Sequence, residues 1–408
     1  TAIRMSPNDF QLDSVYQRGT DWPVSYDEIE PFYVEAEHQL GVSGEEGSPP
    51  TAPRSAPFPM PAIPQTFLDR HFSTKLAGTA YRVSSTPQAR NSVEREERPS
   101  CCGSASCIPI CPVQAKYDAT VHIERAKANG AVVYAATTAT LIETDADGSV
   151  EAIRFTRRDG STARAKGRLF IIAAHAIETP RLLLASISER TPKGVANSSD
   201  MVGRNLMDHP TQLSWASTIE PVWSYRGPIS TSGIENLSDG PFRSDRGAFR
   251  IEIGNDGHSW PTGAPVSTAT ELVKQGLRGE ELNAALRAAT SRHIRMASLV
   301  EQLPDPENRV TLHESERDRY GVPLPKISYR LDDYAKAGLK AATKAHQEIF
   351  EKLGTTDIHH SPSFAGAGHI IGTAKMGNDP KKSVVDSELR SHDHPNLFIV
   401  GSATFPTS

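Results

Sequence analysis

The chain has 408 residues, enough for one large or two intermediate domains that each bury a core, so it is no small disulfide-stapled scaffold. With 44 Lys and Arg against 49 Asp and Glu and no basic run, it lacks the electrostatic footprint of a nucleic-acid binder, and no nucleic-acid partner is expected. The longest apolar stretches, around 169–177 and 131–141, are too short and too interrupted to cross a bilayer, and the 30 prolines and 29 glycines are spread out, as in a loop-rich globular enzyme.

In chain order, Ser25-Tyr26-Asp27-Glu28 has capping-box form, and Ile29, Phe32, Tyr33, Ala36 and Leu40 follow at helical spacing up to Gly41, a C-terminal stop. Pro31 is expected to kink or restart that helix. Residues 47–62 and 83–100 read as loops, the first rich in proline, the second polar and charged. Residues 115–129 read as helix, and 131–145 have the β-branched content of strands, ending in a turn at Asp147-Gly148. A strand over 168–173 precedes a helix over 181–186, for which Thr179 is the expected cap and Pro180 the first-turn proline. From 210 to 362 the pattern changes to spaced strands, such as 249–253 and 309–312, and a helix ending near Leu353-Gly354. The last strand, 396–400, is continuously apolar, as a strand covered on both faces would be.

All four cysteines fall within Cys101-Cys102-Gly-Ser-Ala-Ser-Cys107-Ile-Pro-Ile-Cys111-Pro112, so they act together. Vicinal and closely spaced cysteines make poor partners for several disulfides. Zinc sites usually present two separated pairs of ligands, and no histidine lies close by in sequence. The remaining reading is an iron–sulfur cluster, since thiolates on one tight loop converge and the Cys-x3-Cys-Pro ending matches ferredoxin loops. Cys102, Cys107 and Cys111 have the spread for three ligands, which suggests a three-iron [3Fe-4S] cluster, while Cys101 is too close to its neighbour to join them.

Seven segments in the same order, 21–26, 101–116, 173–181, 202–210, 308–312, 369–373 and 396–402, together resemble the glucose–methanol–choline oxidoreductases. The likeness is to the bacterial branch of FAD-dependent glucose, gluconate and fructose dehydrogenases. It implies an α/β FAD-binding domain of Rossmann-like form, formed by 1–209, which includes an iron–sulfur loop at 100–113, and completed by 363–408. Residues 210–362 would then form an α+β substrate domain whose antiparallel sheet roofs the flavin. The implied activity is oxidation of an alcohol group of a sugar or polyol, glucose-like favoured, with hydride passing to flavin N5 and electrons leaving through the cluster. A c-type cytochrome and a small helper subunit are the implied partners, the location being periplasmic and at the inner membrane only through them. An oxidase using oxygen and a non-catalytic flavoprotein subunit are the competing readings.

Alcohol oxidation needs a base for the hydroxyl proton, and a histidine with an ordinary pKa near 6.5 suits it. Of 14 histidines, His369 occupies the family's catalytic motif, Gly366-Ala-Gly-His369-Ile-Ile-Gly-Thr373. The glycine spacing there is not a dinucleotide fingerprint. The resemblance also puts Thr1 and Ala2 at the end of a loop resting on the flavin ring, and Leu141 where a strand backbone meets adenine. Gly401 and Ser402 correspond to the turn facing flavin and pyrophosphate. It implies a pyrophosphate-binding glycine loop before Thr1 and a second catalytic histidine or asparagine beyond Ser408. Asn205, Asp208 and His209 read as a polar turn fixing a domain junction, without a catalytic role. His359-His360 and the pair His392 and His394 have no further ligand at metal spacing and read as surface or loop histidines.

Overall fold

The computed structural model describes residues 1–47, 52–105, 107–108 and 110–408; residues 48–51 of the first expected loop, and positions 106 and 109 of the cysteine loop, lie outside the described residues. Helix α1 (Tyr26–Leu40) begins at Ser25, whose hydroxyl accepts the Glu28 N–H while the Glu28 carboxylate accepts that of Ser25. It stops at Gly41, left-handed at φ 69°. Pro31 costs the helix one internal N–H, yet the helix runs through it. Glu30 and Glu37, on either side, are held by Arg4 at 2.8 and 2.9 Å, and Glu37 also by Arg54.

Helix α2 (Phe67–Lys75) and strand β1 (Val83–Ser85) follow, the strand falling where composition reads as loop. Helix α3 (Thr120–Ala128) starts later than its composition suggests. Strands β2 (Thr137–Thr144), β3 (Val150–Arg157) and β4 (Thr162–Lys166) form an antiparallel sheet of three. Strand β5 (Phe170–Ile172) leads into α4 (His175–Ala185), which begins at His175 rather than Arg181. Thr179 is therefore not its cap; the Thr179 hydroxyl accepts the N–H of Ala174 at 3.2 Å, and Pro180 lies inside the helix.

Beyond residue 210 come β6 (Pro210–Ser217), β7 (Ser232–Ile234) and β8 (Phe249–Gly254), then helices α5 (Val266–Lys274) and α6 (Gly279–Thr290) and strand β9 (His293–Val300). The hairpin β10 (Arg309–Arg317) and β11 (Pro323–Ser328) precedes the long helix α7 (Asp333–Leu353). Strands β12 (Thr356–His360), β13 (Ala365–Gly366) and β14 (Leu397–Ile399) complete the fold. The main sheet is antiparallel, in the order β12-β6-β9-β8-β7-β1, with β13 also paired to β6.

Two apolar cores result. In the first, Ile251 and Ile253 of β8 and Ile294 and Met296 of β9 point to one face by the period of two. Helix α7 covers that face with Leu339, Ala342, Ile349, Phe350 and Leu353, and α2 adds Leu68 and Phe72. Each buried Leu, Ile, Met or Phe there contributes about 2 kcal/mol over its exposed state. The second core joins α4, β5 and β14, which pair in parallel, to Val384, Val385 and Ala403. Leu397 and Ile399 are buried there, but Ile171 of the neighbouring strand is 64% exposed, so this pair is covered on one face rather than two.

Two buried polar groups test the energetics. Arg243, 1% exposed, pairs with Glu301 at 2.6 Å, Asp9 at 2.8 Å and Asp239 at 3.1 Å, and so fastens the start of the chain to the residue after β9. Tyr334 and the N–H of Ala248 also donate to Glu301. Removing the cation leaves buried carboxylates without a partner, so Arg243→Met is expected to lower the unfolding free energy by about 3–5 kcal/mol. Urea unfolding measures it, and a loss below about 1 kcal/mol would mean the cluster acts like an exposed pair.

His346 on α7 is fully buried between the hydroxyls of Ser298 at 2.8 Å and Ser214 at 2.7 Å. Burial, with the neighbouring His360 adding to it, pushes its imidazole down to about 3. The unfolded chain therefore binds the extra proton from about pH 6.5 downward, and stability falls with pH through the window from about 6.5 to about 3. At about pH 5 this one group accounts for about 2 kcal/mol of loss. His346→Gln is expected to shrink the drop in urea midpoint between neutral pH and pH 5, and an identical drop in both chains would remove His346 as its cause.

Candidate active site

Strand β13 lies on the first residues of β6, Gly366 opposite Pro210 and Ala365 opposite Thr211, and this register sets 366–371 beside 207–210. The Ala367 N–H donates to the His209 carbonyl at 3.1 Å, and Met207 and Ile371 exchange two backbone bonds at 3.0 Å. Asp208 locks the two segments. Its Oδ1 accepts the N–H of His209 at 2.7 Å and that of His369 at 2.8 Å, while Oδ2 accepts the Gly368 N–H at 3.2 Å. Behind it, Gln302 Oε1 accepts the Asp208 N–H at 3.1 Å and the Tyr329 hydroxyl at 2.8 Å. The approach is close enough to require glycine: a Cβ on Gly366 would stand 2.7 Å from Asp208 Oδ2, and one on Gly372, at φ 94°, 2.2 Å from the Asn205 carbonyl.

The lock puts Nδ1 of His209 3.1 Å from Nδ1 of His369, with the rings at 81°. Burial, then the neighbouring His369, hold the His209 imidazole down at about 4, with Asp208 pulling the other way. His209 is thus uncharged at neutral pH. Both rings line a cavity of 930 Å³, whose other walls include Thr1, Ala2, Arg90, Lys116, Glu235 and Arg250. The cysteine loop borders the same space through Cys107.

Of the residues expected at the site, Thr1, Ala2, His369 and Cys107 therefore meet around one cavity. Leu141 sits in β2 opposite Arg154, away from it. Gly401 and Ser402 follow β14 and act from behind, the Ser402 carbonyl accepting the Gly372 N–H at 3.1 Å. His209, read from the sequence as part of a polar turn without a catalytic role, stands against His369 on the cavity. Its signal was the polar Asp208-His209-Pro210 run at a strand start, whose partner segment is 160 residues away. His360 bonds Ser214, His392 bonds Ser383, and His394 bonds the carbonyl of Gly148 and the N–H of Ala196.

The cavity suits a flavin: its size fits the ring system, an imidazole pair stands on one wall, and buried Arg90 keeps Nη1 unpartnered. Strand β5 passes to α4 through Ala173 and Ala174, not through a glycine loop of the kind that cradles pyrophosphate. The four cysteines are all free thiols. Cys102 is exposed, while buried Cys107 donates to the Ser104 carbonyl at 3.1 Å. In this conformation Cys102, Cys107 and Cys111 do not converge as expected, and among the described residues no three such side chains are placed to hold a metal.

The family profile described as GMC oxidoreductase matches residues 68–211 and 304–408. The chain is 38% identical over 407 residues to the fructose dehydrogenase large subunit of Gluconobacter japonicus, covering 99% of this chain and 74% of that protein. It is 29% identical over 427 residues to the paromamine 6'-oxidase of Streptomyces fradiae, covering 99% of this chain and 71% of that protein. Among solved structures, pyridoxine 4-oxidase from Mesorbium loti shares the fold, with a TM-score of 0.61 at 18% identity over 99% of this chain and 77% of that one. With both profile matches and that identity to the fructose dehydrogenase subunit, the chain belongs to the GMC oxidoreductase family, FAD-dependent enzymes acting on CH–OH groups and built from an α/β FAD-binding part and an α+β substrate part.

Proposed function

We propose that this chain is the catalytic subunit of a dehydrogenase that oxidises an alcohol group of a sugar or polyol, with His369 as the base. The observation that carries the reading is His369 on a cavity whose lining also includes Glu235, Arg250 and Glu252. Carboxylate oxygens and guanidinium N–H groups there suit a polyhydroxylated substrate better than an apolar alcohol. The relation to a fructose dehydrogenase subunit supports the same class, in which glucose is a second member. Residues 1–209 and 363–408 would bind FAD, with Thr1, Ala2, Leu141, Gly401 and Ser402 as contacts, and 210–362 would hold the substrate. FAD, when bound, supplies the hydride acceptor at N5. His369 removes the hydroxyl proton as the carbon-bound hydrogen leaves.

Cys102, Cys107 and Cys111 are proposed as ligands of a [3Fe-4S] cluster that supplies a one-electron exit toward a c-type cytochrome. The donor chemistry supports this. Burial opposes ionisation of Cys111, but the N–H groups of Lys116, Val113 and Ala115 and the charge of Arg90 outweigh it and hold the thiol below its ordinary value. The thiols would have to close in from their present positions, so no geometry is assigned to the cluster. A cytochrome and a small helper subunit fit with the relative's being a large subunit, and they would hold the protein at the periplasmic side of the inner membrane. No helix among the described residues is long and apolar enough to cross a membrane.

In the FAD-loaded enzyme, His369→Ala is expected to slow anaerobic flavin reduction by about 10²–10⁴-fold with FAD content unchanged. Stopped-flow absorbance with fructose, glucose and a polyol measures it; a change confined to apparent affinity would sink the role. Peroxide formed one for one with substrate would favour the oxidase reading, which the similarity to paromamine 6'-oxidase keeps open. Cys102→Ser is expected to lose most bound iron and the cluster's visible absorbance while keeping FAD. Full iron content in that variant would remove Cys102 from the ligand set.

A further inference from the structure

We infer that His209 is a positioning residue for His369: its Nδ1 accepts the Nδ1–H of His369 and fixes the tautomer whose Nε2 is free to take the substrate's proton. The inference rests on the reading of His369 as the base.

Two imidazole nitrogens 3.1 Å apart share one proton, so one ring must donate and the other accept. If His209 donated, the Nδ1 lone pair of His369 would be occupied and its remaining proton would sit on Nε2. That ring could not act as a base at Nε2. If His369 donates, Nε2 keeps its lone pair, and the positive charge it gains on taking a proton is stabilised through the Nδ1–H bond to a neutral acceptor. His209 must then be uncharged, and its burial beside His369, with its imidazole held down at about 4, keeps it so across the working range.

The contact is also built rather than incidental. One oxygen of Asp208 holds the backbone N–H groups of both histidines, at 2.7 and 2.8 Å, and its other oxygen holds Gly368. The Ala367 N–H bonds the His209 carbonyl, which closes the same turn from the other side. The charged or titratable groups identified at His209 are His369 and Asp208; the Tyr329 hydroxyl donates to the Gln302 oxygen that also accepts the Asp208 N–H, and it feels the Asp208 charge. Asp208 spends its oxygens on backbone N–H groups, so the orienting role on the His369 ring falls to His209.

The test compares His209→Phe, which removes the acceptor, with His209→Asn, whose side-chain oxygen can stand in for Nδ1. In FAD-loaded enzyme, the Phe variant is expected to reduce its flavin about 10–100-fold more slowly, with FAD content and substrate Kd nearly unchanged. The ascending limb of its rate–pH profile should move to lower pH, because protonated His369 loses a hydrogen-bond acceptor. The Asn variant should recover most of the rate and the original profile. Should the Phe variant fail to hold FAD, His209→Ala takes its place, and added imidazole should restore the rate. Equal slowing in the Phe and Asn variants with an unmoved profile would reduce His209 to a structural part and overturn the inference, as would a wild-type rate in both. An unslowed His369→Ala enzyme would instead overturn the base assignment itself.

Discussion

One oxygen of Asp208 receives two backbone N–H groups, from His209 beside it and from His369 far along the chain. Charge-assisted bonds of this kind are about twice as strong as neutral ones, and two on one atom fix the separation of the two backbones. Everything at the site follows from that separation. The register of β13 on β6, the 3.1 Å contact between the imidazoles and the glycines at 366 and 372 are all consequences of chains drawn this close. A one-residue slip would turn the ring of His369 away from the cavity. The Gly372 N–H then passes the constraint to the Ser402 carbonyl, and so to the core built on β5 and β14.

The cavity is walled by the start of the chain, by β8 and the end of β9, and by the 367–371 segment, so its shape depends on how these are held together. Arg243 ties the start of the chain to the end of β9 through three carboxylates, one near the start of the chain and one just beyond β9. A buried charge of this sort adds little net stability over a well-packed apolar alternative. Its use is positional: Arg243, Glu301 and Asp9 all line the cavity, and mutually paired charges hold a polar wall at fixed places. Groups fixed before a ligand arrives need not be ordered when it binds.

What the sequence disclosed follows the range of the interactions involved. Caps and stops are local, so Ser25, Glu28 and Gly41 mark α1 within one residue. The period of two in β8 is local as well. Strand β1, three residues long, exists through its pairing with β7, and a polar loop composition carries no trace of that. The start of α4 was misplaced because Thr179-Pro180 has the chemistry of a cap, and only the tertiary fold shows the Thr179 hydroxyl turned to Ala174. His369 was singled out by its motif, and it lines the cavity. The contact of His209 with His369 was not legible, since β13 brings the two together across 160 residues.

The cysteine loop sets a different problem, because its four thiols are legible in the sequence and their placement is not. Three thiolates brought together repel one another, and two nearby cations bear on them: Arg90 is buried beside Cys101 and Cys111, while Lys116 is bonded to the Cys107 carbonyl at 2.7 Å. Burial raises the Cys101 thiol, with the Gly103 N–H and Arg90 only partly opposing, whereas the N–H groups around Cys111 lower it. That division suits a loop in which Cys111 ligates and Cys101 stays protonated. For the proposed cluster, gathering of the thiolates and capture of metal would be one coupled event, the metal supplying positive charge against them.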